Sequence, residues 1–316
     1  MQIAHPVKII YLVLAHNTPN HLRRLIAALS TPSSAFIIHL DQKSEMAPFA
    51  GLAIGNVSFT SERVPVYWGD FSQVEAILVL LRTAFIDPRG FDRFVLVSGS
   101  DYPLRSAGVI EEFFAARHDL EFINMVAMPS ADGQKPLSRL TTYQLPPGRS
   151  TWSNKIRRYL SQVGGKLYAR DYKAVFRDLA PYGGSTWWAL SRAAISHVLA
   201  FTDREQALVK FFRNTVSPDE QYFQTILANS PFRSRIVRGL TYALWTPGSP
   251  NPATLSEENL PFFASTSTFA ANNGLGAGEM LFARKFADDA ADLIARLDQQ
   301  IRDKERRAAA ASVPPG

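Results

Sequence analysis

The sequence predicts an α/β protein built on a Rossmann-like sheet, and three observations support this fold class. Four short apolar runs of strand length occur in the first hundred residues, helical periodicity separates them, and two of the runs end on polar residues. Strands that alternate with helices are typical of right-handed βαβ units around a parallel sheet. In such sheets ligands bind beyond the carboxyl ends of the strands, so we expect a site at that edge.

The first two strands each end on polar side chains. Residues 7–15 (VKIIYLVLA) form a nearly continuous apolar run, which indicates a strand buried on both faces, and a turn at His16 leads into a helix. The second strand, residues 36–40, closes on Asp41. His16 and His39 are better explained as core or turn residues than as metal ligands, because no second histidine or carboxylate lies at ligand spacing.

Two further strands are predicted at residues 64–67 and 94–98, with a helix over residues 71–86 between them. The fourth strand runs directly into a polar turn that carries Asp101 at its tip. A carboxylate at the mouth of a sheet is a candidate site residue. It is equally a candidate cap for the helix that follows, and the local pattern leaves both interpretations open.

Composition restricts the classes of function. Lys and Arg number 34 against 28 Asp and Glu, and this net charge of +6 favours an anionic ligand of nucleotide size. We expect no nucleic-acid partner, because no long basic run interleaved with aromatic residues occurs before the C-terminal segment. The absence of cysteine excludes disulfides and thiolate metal sites. No G-x-G-x-x-G or Walker lysine motif is present, which disfavours dinucleotide enzymes and P-loop NTPases.

Two segments of the second half attract attention. Residues 127–153 are rich in Pro, Gly, Ser and Thr, which predicts either a long binding loop or disorder. The segment GGSTWWALS, residues 183–191, reads as a turn entering a strand. Its Ser185, Trp187 and Trp188 are candidates for a platform under a sugar ring, although paired tryptophans are also common in protein cores.

The segment SPDE, residues 217–220, opens a predicted helix. Ser217 with Glu220 fits a capping box, which is a sufficient structural explanation. The functional alternative is that Glu220 is a poised carboxylate at a positive helix terminus. Asp219 is expected to point elsewhere, because neighbouring residues of a helix lie about 100° apart around its axis.

The C-terminal part is predicted to be a helix over about residues 288–311, followed by a disordered end at residues 312–316. The basic segment 302–307 (RDKERR) has two interpretations, a membrane-surface helix or a solvated helix face. Mixed charges and a thin apolar side favour the solvated face. No signal peptide and no run of about 18 apolar residues is seen, so we expect a cytoplasmic protein, peripheral to the inner membrane face if it meets a membrane.

Six blocks of sequence together point to a family. They are HLDQKS (39–44), VYWGDFSQVEA (66–76), VLVSGSDYPLRS (95–106), GGSTWWALSR (183–192), SPDEQYFQTILANSP (217–231) and FARKF (282–286). In this order they resemble the glycosyltransferase family of core-2/I-branching β-1,6-N-acetylglucosaminyltransferases and peptide O-xylosyltransferases. The lack of cysteines and of a membrane anchor suits a bacterial-type member. The resemblance implies a GT-A-type glycosyltransferase fold over residues 1–287, with a donor half to about residue 126 and an acceptor and catalytic half after it. Residues 288–316 lie outside it.

The resemblance also implies roles for individual residues. Glu220 matches the catalytic base and Lys285 matches a basic residue that binds the diphosphate in place of a metal. Asp101 stands at the metal-binding position of related enzymes, but its partner position is Gly99, and one carboxylate is a poor magnesium site. The arginine that the branching enzymes add is missing, and Arg284 or Arg238 are candidates to replace it. The implied contacts to the nucleotide come from Leu14, Ala15, His16, Asp41, Gln42, Lys43 and Trp68.

The expected activity is therefore inverting, metal-independent transfer of GlcNAc or xylose from a UDP-sugar to a hydroxyl of a glycan, glycolipid or protein acceptor. Polysaccharide biosynthesis is the expected context, and no cofactor is expected besides the donor substrate. The block at residues 217–231 looks closer to the xylosyltransferase branch, whereas its Asp-Glu pair is the branching-enzyme form, so the sugar stays open. The alternative is a catalytically silent sugar- or nucleotide-binding module with the same fold.

Overall fold

The computed structural model describes residues 7–145, 170–246, 248–249, 251–271 and 274–311. The strands are β1 (Ile9–Ala15), β2 (Ser34–Leu40), β3 (Val57–Phe59), β4 (Arg93–Ser98), β5 (Asp101–Pro103), β6 (Glu121–Ala127), β7 (Tyr182–Ser191), β8 (Ile236–Val237), β9 (Thr241–Ala243), β10 (Thr268–Phe269), β11 (Gly278–Glu279) and β12 (Phe282–Arg284). The α-helices are α1 (Pro19–Leu29), α2 (Ser72–Phe85), α3 (Ala107–Ala116), α4 (Ser138–Thr141), α5 (Tyr172–Phe176), α6 (Arg192–Arg204), α7 (Gln206–Phe212), α8 (Tyr222–Ala228), α9 (Leu260–Ser265) and α10 (Ala291–Ala311). Short 3-10 helices cover Ala47–Leu52, Pro218–Glu220, Arg233–Arg235 and Glu257–Asn259.

A seven-stranded sheet in the order β3-β2-β1-β4-β7-β6-β8 forms the centre of the protein. Strands β3, β2, β1 and β4 are parallel, whereas β7 runs antiparallel to both β4 and β6. In the parallel part Ala15 lies opposite Leu40, and Leu14 lies opposite Ser98. The carboxyl ends of β1, β2 and β4 therefore meet at one edge, and the predicted α/β class with a Rossmann-like sheet is confirmed.

The third strand was predicted at the wrong place. Residues 64–67 lie outside any strand, and β3 instead covers Val57–Phe59 beside β2. The segment that follows is held by single contacts, such as the bond from the Val64 N–H to His39 Nε2 at 2.9 Å. The segment VPVY has the apolar composition of a short edge strand although it forms none, which explains the error.

The two glycines before the paired tryptophans lie inside β7 and not in a turn. Gly184 packs against the backbone of β6, where a Cβ atom would lie 1.7 Å from the Asn124 carbonyl oxygen. The register of the two strands also shifts between Ile123 and Met125. The glycine is therefore required by close approach of two backbones rather than by a turn.

Helices cover both faces of the sheet. On one face α2 contributes Ile77 and Leu81 to a core cluster that contains Leu12 of β1. On the other face α1 contributes Leu25 to a second cluster that contains Tyr11. Successive strand residues point to opposite faces, which is why neighbouring residues of β1 belong to different clusters and why the strand is apolar throughout.

A second, small sheet has the strand order β5-β12-β9, and its strand β5 follows β4 in the chain. Helix α10 packs against this region, with Leu293, Ile294 and Leu297 in one cluster with Tyr102 of β5. Glu305 of the same helix accepts a hydrogen bond from the Ser106 N–H at 2.9 Å. The apolar side of α10 is thus used within the protein, and residues 312–316 lie outside the described residues. Across the ranges that the structure describes, no helix is long and apolar enough to cross a membrane.

Candidate active site

A cavity of about 410 Å³ opens at the carboxyl ends of β1, β2 and β4. Leu14, Ala15, His16, Asp41 and Trp68, for which the family resemblance implies contacts to the nucleotide, all line it. The edge of the sheet therefore has the concave shape that a ligand site needs.

The predicted uridine-binding group lies partly outside the cavity wall. Asp41 is buried and its backbone N–H donates to the Ala15 carbonyl at 2.8 Å, which joins the ends of β1 and β2. Lys43 pairs with the Asp41 carboxylate at 2.7 Å, and the Lys43 ammonium lies 4.4 Å from the centre of the Tyr67 ring. Gln42 is exposed, and neither it nor Lys43 lines the cavity.

Asp101 lies beneath the cavity rather than in it. Its side chain is 0% exposed, and its carboxylate accepts bonds from the Ser98 N–H at 3.0 Å, from the Ser98 hydroxyl and from Arg284 Nε at 3.1 Å. Burial raises the pKa of Asp101, while Arg284 and Ser98 act against that increase. The expectation that Asp101 faces the donor is corrected, and the cap interpretation is wrong as well, because α3 begins beyond it without a side-chain cap.

Strand β12 brings two cations to the cavity. The antiparallel pairing of β12 with β5 places Arg284 opposite Asp101, and Arg284 and Lys285 both line the cavity. Burial and the neighbouring Arg284 lower the pKa of Lys285. Among the described residues no carboxylate forms an ion pair with Lys285, so its ammonium group is available to a ligand.

The predicted tryptophan platform divides between two environments. Trp187 lines the cavity, and the Arg284 guanidinium lies 4.2 Å from the centre of its ring. Trp188 is 2% exposed and packs in the core, with its ring 5.7 Å from that of Phe223. Trp188 does not line the cavity, so the prediction that it contacts a sugar is wrong. Ser185 does line the cavity.

Glu220 lines the same cavity, and it lies with Asp219 on the 3-10 helix Pro218–Glu220. Ser217 precedes it in the left-handed region at φ 48°, and its N–H donates to the Gly69 carbonyl at 3.0 Å. The capping box is absent, because the Ser217 side chain makes no capping bond in this conformation. Asp219 also lines the cavity, so the expectation that it points elsewhere is wrong.

Two cations hold Glu220. Lys135 Nζ lies 2.5 Å and Arg139 Nη1 lies 2.7 Å from the same atom, Glu220 Oε2. Burial acts to raise the pKa of Glu220, but the attraction of Lys135 and Arg139 outweighs it and the pKa is lowered. Burial lowers the pKa of Lys135, against the attraction of Glu220. The carboxylate is therefore ionised and fixed in orientation.

Asp219 has different neighbours. Its Oδ2 accepts a bond from the Thr186 hydroxyl at 2.6 Å and one from Gln73 Nε2 at 3.2 Å, and the residue is 6% exposed. Burial and repulsion from Glu220 raise the pKa of Asp219 to about 6. The two carboxylates are adjacent in sequence, but their surroundings move their pKa values in opposite directions.

Several residues of this site were missed from the sequence. Lys135 and Arg139 lie in the segment read as a loop, 85 and 81 residues before Glu220, and no local pattern links them to it. Gln73 and Trp245 also line the cavity, and Trp245 is 57% exposed there. The only sequence signal for Lys135 and Arg139 is that two basic residues stand four positions apart. In the parts of the chain that the structure describes, no group of three or more His, Cys, Asp or Glu side chains could hold a metal ion.

Comparisons with known proteins support the family over a range that contains the first five sequence blocks and ends before the sixth, at residues 282–286. The model of the "Core-2/I-Branching enzyme" family matches residues 9–262. The chain is 24% identical over 237 residues to xylosyltransferase 1 of Canis lupus familiaris, a match that covers 72% of this chain and 23% of that protein. It is 25% identical over 232 residues to human xylosyltransferase 2, covering 71% of this chain and 25% of that protein. The chain thus spans about a quarter of the length of these relatives. The structure of mouse xyloside xylosyltransferase 1 aligns with a TM-score of 0.36 and 12% identity, covering 75% of this chain and 89% of that one.

Proposed function

The chain belongs to the Core-2/I-branching enzyme family, and from this premise we propose that it is an inverting glycosyltransferase that uses a UDP-sugar donor. The acceptor in this proposal is a hydroxyl of a glycan, glycolipid or protein. The observation that carries the proposal is one cavity lined by two groups of opposite charge. Arg284 and Lys285, here called the cationic end, present positive charge to it, and Asp219 and Glu220, the carboxylate end, present carboxylates.

The cationic end fits a diphosphate leaving group. When the bond between the sugar and UDP breaks, the β-phosphate gains negative charge, and fixed cations stabilise that charge where it develops. Lys285 supplies an ammonium group, and Arg284 is held in place by the buried Asp101. Both predictions for Lys285 and Arg284 are kept here, together with donor transfer that needs no divalent metal. Asp101 then acts through Arg284 and not by contact with the donor.

The carboxylate end fits the base of a single displacement. In inversion the acceptor oxygen attacks the anomeric carbon from the face opposite UDP, the bond to the diphosphate breaks, and the acceptor proton passes to a base. We assign this base to Glu220. Its Oε2 is the oxygen that Lys135 and Arg139 hold, so the carboxylate cannot rotate freely while a hydroxyl approaches.

The sugar is either xylose or N-acetylglucosamine. The curated relatives named above are xylosyltransferases, which supports xylose. The Asp219-Glu220 pair is the branching-enzyme form and supports N-acetylglucosamine. Exposed Trp245 and Trp68 at the cavity add apolar faces on which sugar or base rings can stack.

Incubation with UDP-xylose and with UDP-GlcNAc, followed by measurement of released UDP, tests the proposal. We expect slow release from one of the two without acceptor and faster release when a sugar acceptor is added. Proton NMR of the product should show the anomeric configuration inverted relative to the donor. Binding of both sugar nucleotides without any release or transfer would favour the silent binding module, and absence of binding would contradict the proposed donor class.

A further inference from the structure

Two adjacent residues of β7 that line the cavity, Thr186 and Trp187, contact Asp219 and Arg284 respectively. The Arg284 guanidinium lies over the Trp187 ring at 4.2 Å. Thr186 precedes Trp187 on β7 and donates its hydroxyl to Asp219 at 2.6 Å. A sugar attached to a diphosphate at Arg284 and Lys285 would extend along these two residues of β7. Its ring hydroxyls would then meet the pair formed by Thr186 and Asp219.

Asp219 is suited to accept a hydroxyl rather than to pair with a cation. The side chains that donate hydrogen bonds to it, Thr186 and Gln73, are neutral. The charged groups near it are Glu220, which repels its charge, and Lys135, whose ammonium is bonded to Glu220 instead. Among the described residues no Lys or Arg forms an ion pair with Asp219. A buried carboxylate in this position gains most from a further hydrogen-bond donor.

We propose that Asp219 binds a hydroxyl group of the transferred sugar and thereby selects the donor, while Thr186 and Gln73 position its carboxylate. This inference rests on the proposed glycosyltransferase function and adds the sugar-recognition residue to it. Asp219 is distinct from Glu220 in this scheme, because Glu220 receives the proton of the acceptor. The two neighbouring carboxylates thus contact different hydroxyl groups, Asp219 that of the transferred sugar and Glu220 that of the acceptor.

The proposal has a pH dependence whose sign is fixed. A hydroxyl donates its strongest bond to an ionised carboxylate. Since the pKa of Asp219 is raised to about 6, the fraction ionised falls as the pH drops through 6, and affinity for the sugar nucleotide should fall with it. UDP itself gains a proton on its terminal phosphate in this pH range, so the control for the titration is the sugar nucleotide with Asp219→Asn, whose affinity should not follow this midpoint.

The test compares the affinity of UDP with that of UDP-xylose and UDP-GlcNAc in the full chain, by titration calorimetry at pH 7.5. Asp219→Asn should weaken binding of the sugar nucleotide that is the donor about 10- to 100-fold, the usual range for a lost hydrogen bond to a charged group. UDP affinity should stay within about twofold, which also shows that the variant is folded. The matched control is Asp203→Asn, the same change at an exposed aspartate that pairs with Arg82 on the surface.

A second variant separates recognition from structural support. Thr186→Val removes the hydroxyl whose bond lowers the pKa of Asp219, so the pH midpoint of sugar-nucleotide affinity should move upward from that of the wild type. Equal losses of UDP and sugar-nucleotide affinity in Asp219→Asn would overturn the proposal, and so would unchanged affinities or an unshifted midpoint in Thr186→Val. If the wild type binds neither UDP nor a sugar nucleotide, the proposed function fails and this inference fails with it.

Discussion

The two ends of the cavity use the same kinds of side chain in opposite arrangements. At the cationic end Asp101 is buried beneath Arg284, and the cation faces the cavity. At the carboxylate end Lys135 and Arg139 hold Glu220 from outside the cavity lining, and the carboxylate faces in. Which member of an ion pair reaches the ligand therefore decides what that end can bind.

The two ends differ because a different member of the ion pair is the more deeply buried one at each end. Asp101 is fully covered, so it can act only through Arg284. Glu220 keeps part of its side chain accessible, because its partners come from α4 and the segment before it. A cation presented to the cavity suits a diphosphate, and a carboxylate presented there suits hydroxyl groups. Substituting the group that each end presents to the cavity tests whether the two ends have these different roles.

The largest effect is expected for Glu220→Gln. Glutamine keeps the size of the side chain but cannot take a proton, so turnover should fall about 10²- to 10⁴-fold while UDP affinity is retained. Steady-state rates with the active donor measure this change. Glu75→Gln is the control, because Glu75 forms a surface pair with Arg213 and should leave turnover unchanged. Retention of more than about a tenth of normal turnover would remove Glu220 as the base.

A smaller change, in the pH dependence of activity, is expected when one of the two cations that hold Glu220 is removed. Lys135 lowers the pKa of Glu220, so Lys135→Met should raise that pKa. A base must be ionised to act, and activity should therefore be lost at a higher pH as the solution is acidified, by about one pH unit. The acid limb of the kcat/KM profile measures the shift, with the exposed Lys173→Met as control. An unshifted limb would show that another group limits the rate.

The smallest effect is expected from metal removal. If Arg284 and Lys285 neutralise the diphosphate, activity in excess EDTA should stay within about twofold of the untreated rate. The comparison needs the same buffer with and without the chelator. A loss of activity that Mn²⁺ restores would show that the cationic end is not sufficient.

The sequence predicted the parts of the fold that follow from local patterns. The apolar runs of β1, β2 and β4 and the periodicity of α2 are properties of short segments, and these elements lie close to the predicted bounds. The third strand was misplaced because a short apolar segment such as residues 64–67 does not distinguish an edge strand from a loop. The two glycines of β7 were assigned to a turn because the sequence does not show their tertiary contacts, which are with Asn124 for Gly184 and with Lys135 for Gly183.

Residues of the site were predictable from the sequence only where they lie in a block of sequence that resembles the family. Lys285 and Glu220 lie in such blocks, and the structure brings both to one cavity. Lys135 and Arg139 were missed because their contact with Glu220 depends on tertiary packing. Trp188 was misplaced because tertiary packing against Phe223 buries it while Trp187 lines the cavity, and the sequence does not show which of two adjacent tryptophans is buried.

Titration of UDP into the wild type, Lys285→Ala and Glu220→Gln in parallel tests the central claim that the two ends divide their work. Removal of the Lys285 ammonium should weaken UDP binding about 10- to 100-fold, as expected for a lost charge-assisted bond, whereas Glu220→Gln should bind UDP as the wild type does. The exposed Lys210→Ala serves as the matched control. Unchanged UDP affinity in Lys285→Ala, or an equal loss in Glu220→Gln, would contradict the division of the cavity into a diphosphate end and a hydroxyl end.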